Sequence, residues 1–292
     1  MDRFIFLTVD GLARGAVFAA FALALVLIWR GARIVNFSQG AMAAASTYVA
    51  YSVTTATGSY WLGLAAAILS GLLIGAGAER LVMRFVDARQ PLNAVIVALG
   101  LVLVIQAVLG IVYGSEYRPM KVPFSRTPLS IGDQALLSPY DLFVFGTVVV
   151  VMVGLGWAFT RTDLGLTMRA AAFAPDMARL LGVNVGRMLT LSWGLAGAVG
   201  GLAALLVVPT ELGAHPHATD LVFVYAFTAA VVGGLDSPIG AVVGGLGVGL
   251  VLSYVSGYSG SDISAVVILG VLIGVLLLRP SGLFGHTSAR LV

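Results

Sequence analysis

Residues 142–160 read LFVFGTVVVVMVGLGWAFT, nineteen consecutive positions without a charged side chain. As an α-helix rising about 1.5 Å per residue, such a run crosses roughly 30 Å of hydrocarbon. Residues 60–78 form a second uncharged run of the same length. Neither alternates between apolar and polar positions, which excludes the short alternating strands of a membrane β-barrel. Composition agrees: 59% of the 292 residues are hydrophobic and 10% charged, 37 are glycine, and the mean hydropathy is +1.03. A water-facing surface needs roughly a quarter of charged residues. The chain is therefore read as all-α, a polytopic helical membrane protein in contact with the lipid bilayer.

Working outward, apolar runs bounded by charges and turn formers fall at 12–29, 40–54, 60–79, 91–113, 140–160, 188–208, 220–234, 240–256 and 263–279. This predicts about 8–9 transmembrane helices. Stretches 40–54 and 220–234 are short for a straight crossing, and GGLDSPIGAVVGGL interrupts 231–246. Short, Gly/Pro-interrupted stretches predict broken or re-entrant segments, tolerated where the backbone is buried in protein or lines a cavity. Arg30, Arg33, Arg80, Arg84, Arg89, Arg161, Arg169, Arg179, Arg187, Arg279 and Arg290 all fall on one side of this topology, eleven of the sixteen basic residues. By the positive-inside rule that side is cytoplasmic, with the N-terminus outside, the C-terminus inside and nine crossings.

The connections 114–139 and 161–187 are each shorter than thirty residues, so 1–292 reads as a single transmembrane domain. No phosphate-cradling Gly-x-x-x-x-Gly-Lys-Ser/Thr loop occurs, so nucleotide-driven work requires a partner. The absence of cysteine excludes disulfides and thiolate chemistry, and a net charge of +3 calls for no nucleic-acid partner. No cleavable signal peptide is expected, because Asp2, Arg3 and Asp10 precede an apolar run too long for one. No catalytic constellation stands out. His215 and His217 in ELGAHPHATD have only Glu211 and Asp220 nearby and read as an external loop rather than a metal site. Arg118, Lys121 and Arg126 read as a solvated face on the external side or as a salt-bridging site for an external protein.

Polar residues inside apolar sequence mark the candidate sites. RIVNFSQG at 33–40 sets Asn36, Ser38 and Gln39 between two apolar runs. One reading is an interfacial loop in which Ser38 caps the following helix. The other is a substrate pathway, in which Asn36, Ser38 and Gln39 with the helix N-terminus offer donors to a carboxylate. Asn93 and Gln106 carry the same two readings, a helix cap with packing glue or pathway lining, and packing is favoured for Ser192 and Trp193. VVGGL occurs at 231–235 and again at 242–246, and the intervening break places Gly233, Gly234, Asp236, Ser237 and Pro238 as a packing turn or a gating element. In the 161–187 connection a short helix, a turn at Pro175 and a second short amphipathic helix are predicted, with Asp176 at the second N-terminus, Met177, Leu180 and Leu181 as an apolar stripe, and Gly182 as the stop. Such an element is either a plug for a cytoplasmic partner or an anchor on lipid headgroups.

Four stretches together resemble the permeases of branched-chain amino acid ABC importers, a group that includes urea and amide permeases. IVNFSQGAMAAASTYVAY (34–51) resembles the family's Ile-Asn-Phe-x-x-Gly segment, and GLTMRAAAFAPDMARLLGVNVGRM (165–188) its coupling loop. YAFTAAVVGGLDSPIGAVVGGLGVGLV (225–251) resembles its paired-glycine stretch, and LLLRPSGLFG (276–285) its terminal Arg-Pro-x-Gly-Leu-Phe-Gly. Two positions depart: the family usually has Gly at Asp236 and often His at Gln39. The resemblance implies translocation of branched-chain or related small amino acids across the inner or plasma membrane, with Arg169, Ala170, Asp176, Leu181 and Gly182 in the ATPase-coupling element. It implies a second permease subunit, two ATPase subunits that bind ATP-Mg, a soluble substrate-binding protein, and no cofactor in this chain. Urea or short-amide transport remains open within the family. Outside it stand a channel-like or secondary transporter without an ATPase, and a non-transporting scaffold.

Overall fold

The computed structural model describes residues 2–86, 90–131, 134–135, 137–210 and 212–285; Arg89, Glu211 and Arg290 lie outside the described residues. Among the described residues eleven α-helices follow one another: α1 Asp2–Ala32, α2 Gln39–Thr57, α3 Tyr60–Leu81, α4 Pro91–Tyr113, α5 Pro139–Arg161, α6 Asp163–Phe173, α7 Pro175–Leu180, α8 Val185–Val207, α9 Asp220–Gly233, α10 Pro238–Ser259 and α11 Ser264–Leu278. Among the described residues the only strand pairing is a two-residue ladder, Ser130–Ile131 with Gln134–Ala135, and an isolated bridge between Arg118 and Ala214. The all-α membrane class is confirmed.

Among the described residues seven helical stretches are long and apolar enough to cross a membrane: Arg3–Ala32, Tyr60–Phe85, Leu92–Tyr113, Pro139–Arg161, Val185–Thr210, Pro238–Ser259 and Ser261–Leu278. The expected eight or nine included α2 and α9, which do not reach that standard. Helix α9 has 14 residues, too few to span 30 Å when straight. Helix α2 is long enough at 19 residues, but it carries Ser46, Thr47, Ser52, Thr54, Thr55, Thr57 and two tyrosines. Its side chains are those of a helix buried among protein.

The first helix begins ten residues before the expected start at 12. Its early charges find partners within the same body. Arg14 Nε pairs with Asp10 at 3.0 Å, Ser253 Oγ donates to Asp10 at 2.9 Å and to the Leu7 carbonyl at 2.7 Å, and Arg3 donates to the Gly257 carbonyl while covering the Tyr258 ring. Charges satisfied in this way do not end a helix.

The chain divides into two compact units. One comprises Met1–Val26, Phe124–Val148 and Val224–Val292. There α1 and α10 approach backbone to backbone, Gly245 lying on Ala19 and Gly249 on Gly15. The other comprises Leu27–Pro123 and Val149–Phe223, and its centre is the pair α3–α8. On α3, Gly63, Ala67, Gly71 and Gly75 recur every fourth residue and are buried. This is the small-residue face by which helices pack closely in lipid, where no hydrophobic effect separates them from the solvent. A Cβ on Gly71 would overlap the carbonyl of Gly197, and one on Gly197 would overlap that of Gly71. Helix α8 is buried nearly all round from Ser192 to Val207, and α2 packs on both partners.

Gly71→Val is expected to destabilise the folded chain by at least about 3 kcal/mol, the upper range for overpacking, because backbone rather than a movable side chain is struck. Gly77→Val on the same helix meets nothing within 4 Å and is expected to leave stability within about 0.5 kcal/mol. Thermal unfolding of the two variants in detergent, compared with the parent, checks this.

Candidate functional site

The 33–40 stretch folds as a connector between α1 and α2. Arg33 adopts a left-handed conformation (φ 55°) just after α1 ends and lies over Trp29. Asn36, Ser38 and Gln39 are then completely buried. Asn36 Oδ1 accepts from the Ser38 amide at 2.9 Å and from its hydroxyl at 2.6 Å, and Asn36 Nδ2 donates to Gln39 Oε1 at 3.1 Å. Gln39 Nε2 donates across to the Ala196 carbonyl of α8 at 2.9 Å. Buried polar groups that bond one another in this way escape most of the desolvation penalty. The expected capping by Ser38 is corrected: Ser38 is the residue before α2, yet at φ −82°, ψ 1° its side chain makes no capping bond. That backbone is not the extended conformation that aims a capping oxygen back at the helix amides, and the hydroxyl serves Asn36 instead.

Thr219 Oγ1 donates to the Gly40 carbonyl at 2.9 Å, and Phe223 packs against Phe37 with its ring tilted by 59°, 6.3 Å between centroids. Gln106 of α4 is also buried, and its amide donates to both Asp220 oxygens, at 2.9 and 3.3 Å. Asp220 in turn lies 2.8 Å from His217 Nδ1, so His217 belongs to this chain of polar contacts. Asn93 stands apart. It is exposed and bonds Gln90 at 2.7 Å in the first turn of α4, the local arrangement expected of a helix end. The structure thus joins Asn36, Ser38 and Gln39 in one network, places Gln106 in another, and leaves Asn93 outside both. Ser192 donates to the Met188 carbonyl, and Trp193 is buried against Gly75, as packing requires.

The 161–187 connection forms the predicted pair of short helices. Thr162 caps α6 through the Gly165 amide at 3.3 Å, and Pro175 starts α7. Ala171 and Ala178 bury themselves against Val185 at the start of α8, with Val183, Met188 and Leu189 around them. Helix α7 ends in a Schellman motif: the Gly182 amide bonds the Arg179 carbonyl at 3.0 Å and the Val183 amide the Ala178 carbonyl at 2.9 Å. Gly182 has φ 83°, a conformation that favours glycine. The apolar stripe points away from this packing: Met177 is 61% exposed, Leu180 81% and Leu181 82%. Asp176 pairs with Arg179 at 2.9 Å on the exposed side, Ala170 is exposed, and Arg169 is half-buried.

In the other unit, the Gly233–Pro238 break is a tight reversal. Gly233 ends α9, Gly234 has φ 100°, and Ser237 caps α10 by accepting from the Gly240 amide at 3.0 Å, with Pro238 first in the helix. Asp236 is exposed. The terminal motif completes the turn: the Leu283 and Phe284 amides donate to the carbonyls of Val232 and Gly233 at 2.8 and 3.1 Å, satisfying acceptors that the end of α9 would leave open.

Residues 7–276 match the protein family described as the permease component of the branched-chain amino acid transport system. The chain belongs to this family. The permease is accordingly a transporter subunit rather than an enzyme, and a multi-pass membrane protein. It is 27% identical over 299 residues to the high-affinity branched-chain amino acid transport system permease protein BraD of Pseudomonas aeruginosa, covering 97% of this chain and 96% of that protein. To the corresponding permease LivH of Escherichia coli it is 27% identical over 297 residues, with the same coverage. A probable branched-chain amino acid transport permease, LivH of Methanocaldococcus jannaschii, is 27% identical over 281 residues, or 90% of this chain and 87% of that one.

Three features of the permease escape a reading by motif. Gly200 faces the Gln39 amide so closely that a Cβ there would overlap Nε2. Glu79 is buried at the end of α3, accepting from Arg84 at 3.4 Å and from Thr190. The small-residue face of α3 is the third, and its four-residue period was open to inspection. Gly200→Ala is expected to destabilise the permease, and Gln39→Ala to recover part of that loss. A coupling of about 1 kcal/mol in a double-mutant cycle of thermal stabilities is the expected result.

Proposed function

We propose that this chain is the membrane-spanning permease subunit of an ABC importer for branched-chain or related small amino acids, in the inner or plasma membrane with its C-terminus in the cytoplasm. Its partners are a second permease subunit, two ATPase subunits that bind ATP-Mg, and a soluble substrate-binding protein; the chain itself needs no cofactor. The relatives named above, whose own names specify branched-chain amino acid transport, support the substrate class. Counting the buried α2 and the short α9 as crossings, as the nine-span reading does, Arg30, Arg33, Arg80, Arg84, Arg161, Arg169, Arg179, Arg187 and Arg279 lie in or beside connections of one topological side, and the orientation rests on that count.

The observation that carries the reading is the α6–α7 pair. Its small residues are committed to α8, its turn is fixed by a Schellman motif, and its large apolar residues face outward. A lipid anchor needs an apolar face but not this rigid attachment to a transmembrane helix. A plug that transmits force from an ATPase needs both. On this reading Arg169, Ala170, Asp176, Leu181 and Gly182 form the coupling element, and Asn36, Ser38, Gln39 and Gln106 line or border the substrate path, while Asn93 serves the first turn of α4. Gly233, Gly234, Asp236, Ser237 and Pro238 form the break that lets α9 and α10 move as separate segments.

Replacing Arg169, Asp176 and Leu181 together by alanine is expected to abolish co-purification with the ATPase subunits while leaving the melting temperature of the permease within about 2 °C, as three exposed or half-exposed sites away from the core imply. Retained co-purification would count against the docking role. Cysteines placed at positions 36 and 39 are expected to react with aqueous thiol reagents in at least one nucleotide state of the assembled transporter. Protection in every state would remove both from the path.

A further inference from the structure

The half of α2 remote from Gln39 holds a second polar and aromatic cluster, to which neither the family match nor the motifs give a role. Tyr48 is 1% exposed, and its hydroxyl has no hydrogen-bond partner. Its ring stacks on Tyr113, 4.4 Å between centroids, and the Tyr113 hydroxyl pairs with Ser52 Oγ at 2.8 Å. Arg118 folds back over the end of α4: Nε and Nη2 both donate to the Tyr113 carbonyl, at 3.2 and 2.6 Å, and the guanidinium lies 5.8 Å from the centre of the Tyr51 ring. Reciprocal backbone bonds with Ala214, at 2.9 and 2.8 Å, fix Arg118 in place.

Among the described residues Arg118 has no carboxylate partner. Asp220 is taken by Gln106 and His217, and the exposed Glu116 of the same loop makes no ion pair with it. Among the described residues the Nη1 donors of Arg118 are unspent, as is the hydroxyl of Tyr48. A buried hydroxyl without a partner is rare in folded proteins and calls for an explanation. A guanidinium with open donors is the side chain best suited to a carboxylate, and paired aromatic rings offer an apolar face to an aliphatic side chain.

We propose that Tyr48, Tyr113 and Arg118 form a contact station for an α-amino acid on its way through the permease: Arg118 Nη1 takes the carboxylate, the Tyr48 hydroxyl supplies a hydrogen bond, and the stacked rings receive the aliphatic side chain. The inference rests on the proposed importer function and adds where the substrate is held. Tyr51 and Arg118 are half-buried beside the stacked Tyr113–Tyr48 pair.

The test uses the complete transporter assembly in nanodiscs without its soluble binding protein, with leucine as the probe and saturation-transfer difference NMR at the leucine methyls as the readout. Leucine is expected to bind the parent at millimolar concentration. Tyr48→Phe is expected to raise the dissociation constant about tenfold with an unchanged or higher melting temperature, since the hydroxyl it removes is unpaired in the fold. Arg118→Lys keeps the charge without the planar fork and is expected to weaken binding further. Leucine uptake by the same assembly in vesicles, with the binding protein present, separates the two levels. If vesicles import leucine while the parent shows no methyl saturation, or while Tyr48→Phe binds as tightly as the parent, the contact station is wrong and the importer stands. If leucine, isoleucine and valine are all refused, the importer reading falls and the station with it.

Discussion

The close approach of α3 and α8 is the constraint on which the larger unit depends. In lipid, two helices gain little by hiding apolar side chains from a solvent that is itself apolar, so their association rests on dispersion between closely apposed backbones. Gly71 and Gly197 put the carbonyl of each helix where the other's Cβ would stand, and Gly75 does the same with the carbonyl of Trp193. Once this distance is fixed, α2 settles on both partners, Ala67 and Ser46 closing on Gly201. The reach of the Gln39 amide to the Ala196 carbonyl is set by the same spacing, with Gly200 leaving room for it. The Asn36–Ser38–Gln39 network is thus a consequence of helix packing as much as of local sequence.

The sequence announced the class of the fold without ambiguity, because uncharged runs such as 142–160 have few physical alternatives. It was weaker on the count of crossings. Apolar content alone does not separate a lipid-facing helix from a buried one, and α2, with its hydroxyls bonded back to its own carbonyls as in Ser46 to Met42 and Thr47 to Ala43, looks like either. The start of α1 was misplaced for a related reason. Arg3 and Asp10 break a hydropathy window but not a helix whose neighbour supplies the Gly257 carbonyl and Ser253.

The α6–α7 element was legible almost in full, since Pro175 and Gly182 are local signals whose backbone consequences do not depend on the rest of the chain. What the stripe at Met177, Leu180 and Leu181 faces was not legible, because amphipathicity gives two faces and not their addresses. The inner face proved to be Ala171 and Ala178. The candidate pathway residues were found as polar exceptions in apolar sequence, but their partners were not, being as far away as position 196. Gln106 and Asp220 are 114 residues apart, and no spacing rule connects them. The terminal motif, a family signature when read alone, acquires a physical task only when its amides meet the open carbonyls at the end of α9.

These observations also bear on how work done at a coupling element reaches the candidate path. Helix α7 is tied to α8 through Ala178 and Val185, and α8 continues from there as one helix past Ala196 and Gly200. At about 1.5 Å per residue, Val185 and Ala196 are roughly 16 Å apart along the axis. A helix is stiff over that length, so a displacement of α7 carries the Ala196 carbonyl with it. That carbonyl holds Gln39, and Gln39 holds Asn36. Moving α8 relative to α2 must therefore break or re-form the bonds of a network that is buried and self-satisfied in the present conformation. A buried amide stripped of its partners is costly in low dielectric. The network consequently has two acceptable conditions, bonded internally or bonded to something that replaces those partners, and water or a polar substrate in an opened path can supply the second. A second condition of this kind would make the network the two-state element that coupling between the proposed docking face and the candidate path requires.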